Sequence, residues 1–213
     1  MYRTISIVAF LITLGGIGLN CIIRPCNACW RHPAKKLVQL FTLLFIEQKL
    51  SPAEVLRKLV YLLTLLCFVI LAITGFYPTL VLGEHISGYL LMIHATFAPI
   101  FAICLAILAV MWSGHCRFTG NDWPWFQRIV QRVTLAKSAD EGTQPQSSLG
   151  QRITFWLIIF LALPLILSIV LSMFPYFGTY WQELLLWVHR YTALIFALAA
   201  IVHTYLLIRT KMS

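Results

Sequence analysis

The stretch WVHRYTALIFALAAIVHTYLL, residues 187–207, holds two imidazoles, His189 and His203, in an otherwise apolar run. Their separation of fourteen positions advances an α-helix by about 1,400°, within about 40° of whole turns, and raises it by about 21 Å. The two rings therefore share one helix face at two depths. An ionisable group in such a run is a functional candidate by default, and neutral imidazole is a standard ligand of haem iron. Two stacked sites on one face explain the spacing better than two unrelated helix–helix hydrogen bonds.

A low-spin b-type haem needs a second axial ligand from a facing helix at a similar depth. With a helix over 88–112 running inward, His94 lies about 9 Å outside the midpoint; on a helix over 185–208, His189 lies about 11 Å outside it. His94 and His189 thus form the expected outer pair. His85 falls about 22 Å from the midpoint, at the surface, where a propionate contact or solvation suits it. Arg190, beside His189, either pairs a haem propionate or snorkels to the interface. His203 lies about 9 Å to the inner side, where the helix over 59–80 offers Tyr61 and no histidine. His115 and His32 belong to loops.

These residues need membrane-spanning helices to hold them. The 213-residue chain is 60% hydrophobic and only 11% charged, against about 25% charged in soluble domains. Five stretches, 4–22, 59–80, 88–112, 153–174 and 185–208, reach the roughly 20 apolar residues needed to cross a bilayer. The fold class is all-α and polytopic: a four-helix haem-binding bundle with one N-terminal transmembrane helix and short interfacial helices. Residues 1–54 form the N-terminal helix and a cytoplasmic interfacial segment, and 55–213 the four-helix core. The first span lacks a signal-peptide cleavage site and is read as retained.

The net charge of +9 does not indicate nucleic-acid binding, because the basic residues sit in loops between spans. Fourteen of the sixteen Lys and Arg residues fall in the 23–58 and 113–152 loops and the C-terminal tail, and none in 81–87 or 175–184. The positive-inside rule then places the N-terminus outside and the C-terminus in the cytoplasm, in keeping with a bacterial cytoplasmic membrane. KKLVQLFTLLFIEQKL (35–50) reads as an interfacial helix, Ser51-Pro52-Ala53-Glu54 as a helix start, NDWPWFQRIVQRV (121–133) as a headgroup-level segment, and 138–151 as a linker. The aromatic loop FPYFGTYWQE (174–183) fits an interface belt or a docking surface for an extracytoplasmic partner.

VHRYTALIFALAAIVHTYLLIRT resembles the last core helix of the membrane cytochrome b subunits of respiratory formate dehydrogenases and nickel–iron hydrogenases. GYLLMIHATFA (88–98) is similar to their histidine-bearing second helix, and RKLVYLLTLLCFVILAITGF (57–76), with its Thr-Gly end, to their first. The resemblance covers 55–210 and implies a four-helix core that binds two b haems and carries electrons between a partner subunit and the quinone pool. It assigns His94 and His189 to an outer haem and His203 to an inner one. The family's first helix opens with Arg, a few residues and then a histidine; here Arg57-Lys58-Leu59-Val60-Tyr61 has none.

Three readings of the inner level stand. Tyr61 ligates or hydrogen-bonds there, as tyrosine can; or His203 alone holds a five-coordinate haem; or the inner haem is lost, and Tyr61 and His203 bond a quinone or their neighbours. Loss or alteration is preferred. The expected role is an electron-transfer subunit of a redox complex rather than its catalytic subunit, with one b-type haem iron, a second in question, and quinone, other subunits and lipid as partners. The alternatives are a haem-poor structural anchor and a stand-alone cytochrome b561-like reductase. Cys21, Cys26 and Cys29 have cluster-like spacing without an evident fourth ligand, and read as reduced thiols or a metal site.

Overall fold

The bilayer interior offers backbone groups no water, so a spanning segment must satisfy its N–H and C=O groups within itself. The apolar stretches do so as five α-helices: α1 (Tyr2–Ile23), α2 (Pro52–Tyr77), α3 (Gly88–Ser113), α4 (Gln146–Ser172) and α5 (Thr179–Met212). The computed structural model describes residues 1–23, 52–114, 116, 146–174 and 178–212, with no strand among them. All five helices are long and apolar enough to cross a membrane. The protein is an all-α polytopic membrane protein. Its expected interfacial segments at 35–50 and 121–133, Ser51 of the helix-start signal, and Cys26 and Cys29 lie outside the described residues; α2 itself begins at Pro52.

Two helices start earlier than the apolar runs suggest. α4 begins at Gln146, inside the stretch expected to be a linker, and α5 at Thr179, inside the aromatic loop. Hydropathy marks where the hydrocarbon begins, whereas a helix continues into the interface until its backbone meets a breaker. α2 meets one at Pro78, which has no N–H to donate to Thr74. The chain widens there into a π-helical turn, Pro78–Leu82, and stops at Gly83, whose left-handed backbone (φ 78°) lets its N–H reach the Pro78 carbonyl. Such turns leave carbonyls unpaired. The Arg3 guanidinium of α1 caps two of them, donating from Nε to the Leu80 carbonyl (3.0 Å) and from Nη2 to that of Val81 (3.4 Å).

The helices pack as two pairs, α2 with α3 and α4 with α5, while α1 lies along α5 and the π turn. Between the pairs sits a core of Cys67, Phe101, Leu105, Ala162 and Phe196. Phe68, Phe101 and Phe196 meet there with ring centroids 5.9–6.3 Å apart. Outside that seam large apolar side chains are exposed, Leu163 and Val110 among them, as lipid contact requires. α1 turns the stripe Tyr2, Ser6, Phe10, Thr13, Ile17 and Cys21 inward; Tyr2 donates to the Arg190 carbonyl (3.1 Å) and stacks edge-on to Tyr191.

Candidate haem site

His94 projects from α3 toward the end of α2, and His189 from α5 toward α4. Their imidazoles lie within electrostatic reach of one another. Thr74 Oγ1 is 2.9 Å from His94 Nδ1. The Thr74 hydroxyl spends its single proton on the Ile70 carbonyl (2.8 Å), with Leu71 shared at 3.3 Å. With its proton so placed it accepts from His94 Nδ1, which then carries the ring proton. The lone pair is left on Nε2.

The same accounting fixes the other two rings. His189 Nδ1 donates to the Leu165 carbonyl at 2.9 Å, an oxygen that also accepts from the buried Ser168 hydroxyl. Thr154 Oγ1 donates to the Gly150 carbonyl (2.9 Å), so at 2.7 Å it accepts from His203 Nδ1. Among the described residues nothing bonds Nε2 of these histidines, and each ring is fixed by a hydrogen bond at Nδ1 on the far side. This is the arrangement that orients a metal-ligating imidazole and raises its basicity.

Around His94 the wall is shaped for a ring. Gly75 follows Thr74, and a Cβ there would lie 3.2 Å from His94 Cε1 and 3.7 Å from Nδ1. Any larger residue would push the imidazole aside. Arg190, the candidate propionate partner, donates from Nη2 to His85 Nδ1 at 3.2 Å and sits 5.5 Å over the Trp187 ring. His85 is thus drawn to the same end as His94 and His189, bound to Arg190. Among the described residues no group of three or more His, Cys, Asp or Glu converges as a metal cluster. Two imidazoles are the donor set of a bis-histidine haem, and the residues present fit that group.

The opposite end of the bundle holds His203 and Tyr61 in different surroundings. His203 lines a cavity of about 370 Å³ with Arg57, Trp112, Cys116, Gln151, Arg152 and Leu207. Tyr61 is not in that lining. Its ring stacks on Trp112 (centroids 5.8 Å, 22° between planes) and packs against Val60, Cys104 and Leu108. Burial pushes the Cys116 thiol up, with the Arg152 guanidinium opposing, and the Cys116 carbonyl accepts from Trp156 Nε1 (2.9 Å). The Cys21 thiol is 3.9 Å from the Tyr205 hydroxyl. The residues that a reading of histidines alone misses are Thr74, Thr154 and the Leu165 carbonyl; a hydroxyl one helix away at matching depth is the signal that marks the first two.

The family model described as prokaryotic cytochrome b561 matches residues 56–212. The cytochrome b556 subunit of nitrate-inducible formate dehydrogenase from Escherichia coli K12 is 30% identical over 147 residues, covering 64% of this chain and 64% of that protein. The Shigella flexneri protein of the same description matches to the same extent. The chain thus spans about 64% of the length of the curated relatives it matches. Membership of a cytochrome b family implies a b-type haem and electron transport in the membrane, which agrees with five apolar membrane-length helices. The protein belongs to the prokaryotic cytochrome b561 family.

Proposed function

We propose that this integral membrane cytochrome relays electrons between a quinone pool and a partner subunit of a multi-subunit respiratory complex. Its haem b is held by Nε2 of His94 and of His189. The observation that carries this reading is the shared tautomer: both rings hold their proton on Nδ1, against Thr74 and the Leu165 carbonyl, and so keep the ligating lone pair on Nε2. A b haem bound there supplies a one-electron iron couple. Thr74 and the Leu165 carbonyl hold the rings in place, Gly75 leaves His94 its space, and Arg190 pairs a propionate carboxylate from the same end.

Among the described residues His203 has no histidine mate, and Tyr61 stacks on Trp112; the proposal is one haem per chain. The relatives' description as a formate dehydrogenase subunit supports a redox complex as the setting. The arrangement proposed is residues 55–213 as core and 1–54 as an added segment, N-terminus outside, in a bacterial cytoplasmic membrane. The His94–His189 end then faces an extracytoplasmic electron-transfer subunit.

The test is the absorbance spectrum and haem-to-protein ratio of the purified chain. One low-spin b haem per chain is expected, lost in His94→Ala and in His189→Ala and kept in His203→Ala. An unchanged b-band in either of the first two variants refutes the ligand pair, and two low-spin haems per chain refute the single-haem reading. Co-purification of a second subunit separates the complex from a stand-alone reductase.

A further inference from the structure

The cavity beside His203 has a chemistry that the haem reading does not use. Two of its seven lining residues are arginines, and no carboxylate is among the described residues that line it. Arg57 Nε is buried and has no hydrogen-bond partner. A buried guanidinium N–H that no group among the described residues accepts has room for an added acceptor, and a guanidinium is best matched by phosphate or carboxylate.

The position of the cavity narrows the choice. Arg57 is two residues inside the start of the span Val55–Leu82, and Trp112 is next to the end of Gly88–Ser113. Gln151 and Arg152 follow the start of Gly150–Ser172, and Leu207 closes the span Thr179–Leu207. Four span ends therefore meet around the cavity, at headgroup level. Leu56 and Leu59, flanking Arg57 on α2, are 54% and 60% exposed and offer an apolar track for acyl chains. His203 Nε2, which nothing among the described residues bonds, could accept from a headgroup hydroxyl or ammonium.

We propose that this cavity, lined by Arg57, Arg152, Trp112 and His203, binds the phosphate of an anionic phospholipid headgroup. Basic pockets between helix ends are a recurrent form of lipid recognition. A neutral ring such as a quinone offers no charge to the buried Arg57 donor, whereas one phosphate diester accepts from it and carries the matching charge.

The experiment uses the purified full chain in detergent, with phosphatidylglycerol, phosphatidylcholine or inorganic phosphate added, read by native mass spectrometry and by thermal stability. Phosphatidylglycerol is expected to give a saturable one-lipid adduct and to raise Tm, and phosphatidylcholine to do neither. Arg57→Gln should weaken the adduct about tenfold, the loss of one charge-assisted contact, with the haem absorbance unchanged. Equal adducts from both lipids in the native chain overturn the proposal, even if the variant does not fold. An equal rise in Tm with inorganic phosphate assigns the site to a free anion, and displacement of the lipid by a short-chain quinone assigns it to quinone; either result overturns the lipid reading. None of these readouts depends on where the haem binds.

Discussion

Thr74→Val removes one oxygen from the haem site and little else. Valine keeps the branched shape, so the perturbation is the loss of the acceptor that sits 2.9 Å from His94 Nδ1. A buried donor left unsatisfied costs about 1–3 kcal/mol, and loss of the hydrogen bond behind a ligating histidine typically lowers metal affinity by about 10–100-fold. The Leu71 carbonyl, already close to His94, recovers part of that, so the lower end, about tenfold, is expected. The assay is haem titration of the haem-depleted chain, followed by a redox titration of the b-band. Affinity should fall about tenfold. The midpoint potential should rise, because a less basic imidazole stabilises the oxidised iron less. Thr154→Val is the control: it removes the matching oxygen 2.7 Å from His203, at the other end of the bundle, and should change neither quantity. Unaltered affinity and potential in Thr74→Val, or an equal loss in Thr154→Val, would refute the reasoning.

Gly75→Ala places a methyl group 3.2 Å from His94 Cε1; a shifted ring and a haem spectrum with weakened or high-spin character are expected, at a stability cost of about 1–3 kcal/mol. Arg3→Gln strips the cap from the Leu80 and Val81 carbonyls; because the contact is exposed, a loss of about 1 kcal/mol or less is expected, seen as faster proteolysis between α1 and α2 with an unchanged b-band. Burial holds the Cys116 thiol above the ordinary range and Arg152 partly offsets this, so alkylation at pH 8 should be slower than for a free cysteine. The rate should climb as pH rises through the elevated value, and Arg152→Gln should slow it further; a rate equal to that of glutathione would show that the thiol is not raised.

The spans were legible because crossing hydrocarbon imposes a length and an apolar composition that few other pressures mimic, and depth arithmetic on His94 and His189 follows directly from helix rise. The ends of α4 and α5 were not legible, because hydropathy reports on the lipid and not on backbone continuity: Gln146–Gln151 is polar and yet helical. Nor was the π turn, since Pro78 announces a break without saying how the next five residues settle it. The tautomers lay further out of reach. They depend on a threonine hydroxyl bonding its own helix and thereby having no proton left for its neighbour, a fact of three-dimensional accounting. The engagement of Tyr61 with Trp112 depends on the rotation of α2 against α3, which spacing does not reveal.

Phe196 stands seven residues from His189 and seven from His203, and with Phe68, Phe101 and the fully buried Cys67 it closes the middle of the bundle. That plug is a low-dielectric layer, built among the described residues from apolar side chains, between the levels of the two histidines. A charge moved from one histidine level to the other travels through low dielectric and works with or against the membrane voltage, at about 2.3 kcal/mol per elementary charge per 100 mV for a full crossing. The aromatic seam therefore makes any charge that passes between the two levels answer to the membrane voltage rather than to solvent.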